Sequence, residues 1–160
     1  MAHVVQILIA ASPAAAMETR REVRAVPTRG LEDDRYFTGT GTFSPHPQKP
    51  DFELTLIESE AIEAFTQESG LPFTAAEARR NLVTRNIRLN ELVGVEFSIG
   101  EVMIIGIRLC EPCAYLAKKT RPEVLSGLVH RGGLRAQILS TGLIRTGDAI
   151  LVATPPPTTG

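Results

Sequence analysis

Val95-Glu96-Phe97-Ser98-Ile99-Gly100-Glu101-Val102-Met103-Ile104-Ile105-Gly106-Ile107-Arg108-Leu109 holds two short, apolar, β-rich runs on either side of a Gly-containing break. β-branched and aromatic side chains fit a pleated surface, so the stretch predicts strands over Val95 to Ile99 and Val102 to Leu109. Ser98 to Glu101 predicts the tight hairpin between them. Working outward, similar runs predict strands over Val4 to Ala10, Glu22 to Val26, Leu54 to Ile57, Leu82 to Arg85, Leu134 to Leu139 and Ala149 to Val152. Short strands at this spacing argue for a closed or rolled sheet. Three helical segments interrupt them. Ser59 is placed to cap a helix reaching about Glu68, with Ile62 and Phe65 on its buried stripe and Gly70 to stop it. Thr74 with Glu77 forms a capping box for a short turn ending near Arg79, and Pro122 opens a helix over Glu123 to Val129. The expected fold class is mainly β with short helices (α+β), a β-barrel or rolled sheet with small helices over its openings.

Composition narrows the function classes. The chain has 160 residues, 43% of them hydrophobic, with 17 Lys+Arg against 18 Asp+Glu. Disorder would need low hydrophobicity and high net charge, so the chain is expected to fold. At this length roughly two thirds of the unfolded surface becomes buried, enough for one core without staples. A single domain is expected over residues 1–153. Pro155, Pro156 and Pro157 cannot enter a ladder, so 154–160 reads as a disordered tail. A formal charge of -1 gives no general attraction to nucleic acid or to an anionic membrane, and 5% aromatic residues with no Trp offer few stacking platforms. Two Cys point to a reducing compartment, read here as cytoplasmic. The apolar start is broken by Gln6 and closed by Ser12 and Pro13, too short for a membrane helix of about 20 residues. It reads as a buried first strand rather than an export signal. Pro27 to Pro50, with repeated Gly and Pro, reads as one long irregular excursion.

Four constellations carry chemistry. Cys110-Glu111-Pro112-Cys113 follows the strongest strand, and three readings stay open for it: a zinc half-site short of a second Cys pair, a dithiol switch with a lowered thiol pKa, or two small buried hydrophobes. Arg79-Arg80-Asn81, with Thr84 and Arg85 beyond, aims rigid guanidinium forks at an oxyanion or else decorates a solvated helix end. His130-Arg131-Gly132-Gly133-Leu134-Arg135 combines a titratable ring, two cations and a glycine pair, either an anion-binding loop or a helix stop. Gly30-Leu31-Glu32-Asp33-Asp34-Arg35-Tyr36 packs three carboxylates beside an Arg. Adjacent carboxylates point different ways, so Asp34 and Arg35 are expected to organise the loop rather than to hold a metal.

Taken in order, these blocks resemble the MOSC domain, the module at the C-terminal end of molybdenum cofactor sulfurases. The likeness rests on Gly30 to Tyr36, Leu54-Thr55-Leu56-Ile57-Glu58, Arg79 to Thr84, Leu92-Val93-Gly94 with Ile99-Gly100, Arg108 to Cys113, His130 to Arg135 and Ile144-Arg145-Thr146-Gly147-Asp148, covering about residues 22–152.

The resemblance implies a β-barrel and a function around the pterin molybdenum cofactor, molybdopterin with its metal. It implies one reactive Cys at the end of the strand, matched by Cys113, which carries sulfur as a persulfide or ligates molybdenum; Cys110 is its neighbour. The family's cofactor-facing Arg and Asn match Arg79 or Arg80 and Asn81. The implied cofactor-binding set is Arg79, Arg80, Asn81, Thr84, His130, Arg131, Gly132, Gly133, Arg135, Asp34 and Arg35. The partners implied are a sulfur donor resembling a cysteine desulfurase, or an electron-transfer protein. Two departures stand out. Asp33 replaces the Gly that the family usually places before Asp-Arg, and no pyridoxal phosphate lysine domain accompanies the chain. What remains is a sulfur transferase or carrier, a molybdenum-dependent reductase component acting on N-hydroxylated compounds, or a cofactor-free interaction module.

Overall fold

The computed structural model describes residues 1–12, 15–38, 53–110 and 131–152. In chain order it contains β1 (His3–Ile9), β2 (Glu18–Arg20), β3 (Glu22–Val26), β4 (Gly30–Leu31), α1 (Arg35–Thr38), β5 (Leu54–Glu58), α2 (Ser59–Ser69), α3 (Ala75–Ala78) and β6 (Leu82–Arg85). A 3-10 turn at Leu89–Leu92 leads to β7 (Glu96–Ile99), β8 (Val102–Leu109), β9 (Leu134–Ile138), β10 (Gly142–Arg145) and β11 (Ile150–Val152). No helix among these residues is long and apolar enough to cross a membrane.

Eight strands form one mixed sheet in the order β11-β7-β8-β9-β5-β6-β1-β2, and β10-β3-β4 form a second sheet of three. Neighbouring strands of the large sheet run antiparallel except β5 and β6, which pair in parallel with Leu56 beside Leu82. That parallel pair needs a crossover, which α2 and α3 supply. The large sheet curls until its far ends meet. His3 bridges Ala149, the Val4 N–H donates to the Asp148 carbonyl at 3.0 Å, and the Gly147 N–H donates to the Val4 carbonyl at 2.8 Å. The result is a half-barrel closed by backbone along one seam.

Alternation along the strands fills the inside. Val4, Ile7, Leu54, Leu56, Leu82, Phe97, Ile99, Val102, Ile104, Leu134 and Ile138 form the main core with Val23, Ala25 and Ile144 of the small sheet. Each such side chain taken out of water contributes roughly 1.5–3 kcal/mol before the entropy cost of ordering it. A second cluster lies on the other face, where Ile62 and Phe65 of α2 cover Leu8, Ile57 and Val83 together with Phe73 and Ala78. The stripe expected on α2 is therefore the buried one.

The predicted strands are all present, with β3, β6 and β8 at the expected bounds. The turn at Gly100 takes φ 58°, the left-handed conformation that suits Gly in a tight hairpin. Gly70 ends α2 in the left-handed region, its N–H on the Thr66 carbonyl, and Thr74 and Glu77 make the reciprocal capping box of α3. Ser59 is not the cap. The β5 ladder runs through Glu58, which pairs with Thr84, so the helix begins directly at Ser59 with no side-chain cap bond. Ser59 Oγ instead donates to Glu60 and accepts from Arg85. The excursion from Pro27 also differs from the expectation, because β4 and α1 give its first part regular structure. The rest of that loop, the helix expected over Glu123 to Val129 and the tail at 154–160 lie outside the described residues.

Candidate functional site

Three segments converge at one end of the curled sheet: the turn before α1, the α3–β6 junction, and the facing ends of β8 and β9. Asp34 is fully buried, and its Oδ1 accepts from the Ala10 N–H at 3.0 Å and from Arg35 Nη1 at 3.1 Å. The Arg35 N–H returns a bond to the Ala10 carbonyl at 2.7 Å. Asp34 thus locks the end of β1 to the start of α1 and orients the neighbouring guanidinium, the organising role expected for this pair. Arg35 Nη2 then donates to the Arg79 carbonyl at 3.2 Å, and Nη1 lies 3.7 Å from Met17 Sδ.

Arg79 closes α3 in the left-handed conformation, φ 56°. The turn sends two consecutive guanidinium groups to different partners. Arg79 Nη1 donates to the Ala15 carbonyl at 2.9 Å. Arg80, only 8% exposed, donates from Nε to the Gly132 carbonyl at 2.9 Å, from Nη2 to the Cys110 carbonyl at 3.1 Å and from Nη1 to the Ala78 carbonyl at 3.3 Å. Those acceptors are all backbone. A buried cation is ordinarily matched by a carboxylate, and here none among the described residues matches it.

Asn81 follows inside the sheet with no exposure. Its Oδ1 accepts from Thr55 N–H and Thr55 Oγ1, both at 3.1 Å, and its Nδ2 donates to the Leu8 carbonyl at 3.2 Å. The amide pins β1 to β5 at a point where β6 has not yet begun. Thr84 is equally buried, its hydroxyl 3.5 Å from the Ile57 carbonyl.

The second glycine, Gly133, has a packing reason. A Cβ on Gly133, whose φ is 116°, would stand 2.0 Å from the Leu56 carbonyl oxygen, so β9 can enter beside β5 only without a side chain there. The Gly133 carbonyl accepts the Cys110 N–H at 2.7 Å, and Cys110 is buried. Arg131 turns to Glu68 of α2 in a two-pronged ion pair, which raises the Arg131 pKa and lowers that of Glu68. Arg135 lies on β9 opposite Thr55 of β5 and Arg108 of β8.

The structure thus brings Asp34, Arg35 and Arg79 into one bonded group and Arg80, Gly132, Gly133 and Cys110 into the next. Asn81 and Thr84 sit within the sheet beneath, while Arg131 and Arg135 engage other neighbours. Cys113 and His130 lie outside the described residues. Among the described residues no three His, Cys, Asp or Glu side chains stand close enough to hold a metal ion.

One buried carboxylate escaped the sequence reading. Glu53 Oε1 accepts the N–H groups of Thr28 at 3.1 Å and Ile138 at 3.2 Å, fastening the β3–β4 turn to β9. Burial pushes its pKa from 4.5 up to about 7, against the lowering effect of the two N–H bonds. A Glu one residue before an apolar strand gave no signal of this.

Comparison with known proteins follows this geometry. The fold is similar to the YUAD protein from Bacillus subtilis, 14% identical with a TM-score of 0.79, covering 95% of this chain and 96% of that one. It is also similar to YiiM from Geobacillus stearothermophilus, at 16% identity and TM-score 0.73 over 96% and 76% of the two chains. YiiM from Escherichia coli shares 17% identity at TM-score 0.64, over 98% and 71%. No curated protein matches the sequence. The pattern of the MOSC domain matches residues 44–151, well over half the chain. With the curled mixed sheet and the ordered motifs agreeing, the chain belongs to the MOSC domain family.

Proposed function

We propose that this chain binds a pterin molybdenum cofactor beside Arg35, Arg79 and Arg80 and uses Cys113 as a reactive thiol, either to carry sulfur or to ligate the metal. The observation that carries the reading is the Arg80 guanidinium, buried and matched by no carboxylate among the described residues. Such a cation fits an anionic ligand, since a phosphate or a thiolate-bearing pterin would supply the missing charge. When bound, the cofactor supplies a metal centre with affinity for soft sulfur ligands. Arg80 and Arg79 would bind its anionic groups. Asp34 would hold Arg35 in place.

Positive charge near Cys113 would lower the thiol pKa and raise the thiolate population at neutral pH. In sulfur transfer that thiolate attacks the outer sulfur of a donor persulfide. The donor's S–S bond breaks, the donor leaves as a thiolate, and Cys113 keeps the transferred sulfur as its own persulfide. The donor is a partner resembling a cysteine desulfurase. In the metal-ligand role the partner is instead an electron-transfer protein. Both roles suit the reducing cytoplasm.

The test is elemental analysis and pterin fluorescence on full-length protein from a cofactor-competent host, with alkylation kinetics at neutral pH. The expected result is bound pterin, rapid labelling of Cys113, and loss of persulfide or molybdenum in Cys113→Ser with an unchanged thermal midpoint. Pterin-free protein whose Cys113 labels slowly would overturn the reading in favour of a cofactor-free module.

A further inference from the structure

A separate cavity of about 700 Å³ opens on the outer wall, where β1 leaves part of its edge uncovered. β2 pairs only with Ile7 to Ile9 of β1, and the backbone at 147–149 reaches only His3 and Val4, so Val5 and Gln6 face a gap. The gap is lined by Gln6, Thr19, Arg20, Arg21, Arg145 and Thr146, with Val5 on its floor and Glu22 at its side. It shares no residue with the Arg35–Arg79–Arg80 group.

Its polar inventory is lopsided toward donors. Arg145 spends Nε on Glu22 at 3.1 Å, and its two Nη groups meet no protein acceptor among the described residues. The Arg21 side chain has no acceptor there either. Arg20 is held from behind by Glu18 and, at 3.6 Å, by Asp33. Its Nε faces Glu18 Oε1 at 3.3 Å and its Nη2 faces Glu18 Oε2 at 3.4 Å, so Arg20 contributes a fixed cation to the rim rather than a free donor. Gln6 Nε2 donates to Thr19 Oγ1 at 3.2 Å, which leaves that hydroxyl's proton available.

Arg20 and Arg145 at strand ends and Arg21 in the bend between β2 and β3 thus line one concavity, in which Arg21 and the Nη groups of Arg145 have no protein acceptor among the described residues. A carboxylate ligand presents two coplanar oxygens and is satisfied by one fork, whereas a tetrahedral oxyanion presents three oxygens in different directions. The volume falls in the range of sites for small organic ligands and far exceeds what a bare ion fills. We propose that this cleft binds a small organic phosphomonoester, its phosphate among Arg20, Arg21 and Arg145 and its organic part along Val5 and the arginine stems.

The test is a titration of the full chain with phenyl phosphate, followed by calorimetry and by the NMR signals of the arginine Nε–H groups and the Gln6 amide. Saturable one-to-one binding that shifts those signals is expected. Arg21→Ala and Arg145→Ala should each weaken it about tenfold or more, the worth of one charge-assisted contact. Arg24→Ala, an exposed arginine outside the cleft, should leave it unchanged. Thermal midpoints of the three variants establish that each is folded. Absence of saturation, equal affinity for benzoate or for inorganic phosphate, or an equal loss in Arg24→Ala would each overturn the proposal.

Discussion

The Nη2 group of Arg80 lies 3.1 Å from the carbonyl oxygen of Cys110, and its Nε lies 2.9 Å from that of Gly132. One side chain at the mouth of β6 therefore fastens the residue just after β8 to the residues that lead into β9. Arg80→Met deprives the Cys110, Gly132 and Ala78 carbonyls of their donors. A loss of about 2–4 kcal/mol in urea denaturation is expected. Arg80→Lys should recover only part of it, because a single ammonium cannot reach three divergent acceptors.

Glu53 makes the protein's stability depend on pH. Its carboxyl titrates near 7 in the fold against 4.5 in the free side chain, so the folded state holds the proton more tightly. Between those values the folded form binds more protons, and stability falls as pH rises from about 4.5 to about 7, then levels off. Glu53→Gln keeps a carbonyl acceptor for the Thr28 and Ile138 N–H groups without the buried charge. The variant should be more stable than the parent at pH 8, by up to about 3 kcal/mol, and show a flatter pH profile by calorimetry.

Gly133→Ala should be among the most damaging single changes on the sheet. The new methyl would meet the Leu56 carbonyl, and the backbone conformation is one that L side chains avoid. A cost of about 3 kcal/mol or more is expected, read as a fall in thermal midpoint or a loss of soluble protein.

Asn81→Asp tests the clamp between β1 and β5. The carboxylate keeps an acceptor for Thr55 but sets an oxygen against the Leu8 carbonyl where Nδ2 donated. Destabilisation of about 2–4 kcal/mol is expected at neutral pH, partly relieved in acid as the carboxyl takes up a proton and donates again.

The β7–β8 hairpin was legible because two apolar runs flank a glycine that the turn needs. β2, β4 and β10 were not. Glu18–Arg20, Gly30–Leu31 and Gly142–Arg145 are too short to show a period, and they become strands because a neighbouring edge supplies their hydrogen bonds. The same limit applies to the site. Asp34, Arg35 and Arg79 stand out as residues, yet what joins them is the carbonyl of a left-handed Arg79, a backbone event with no signature in composition. Gly133 was read as room for a ligand, and the structure gives that room to Leu56. The pairing of Arg131 with Glu68 spans 63 positions and could not be read from either residue.

The seam where His3 meets Ala149 carries a consequence for biogenesis. On a ribosome making the chain from its first residue onward, the opening strand emerges long before the segment that covers part of its edge. Val4 and its neighbours gain that cover only once position 149 has been made, so closing the seam is a long-range and slow step of folding.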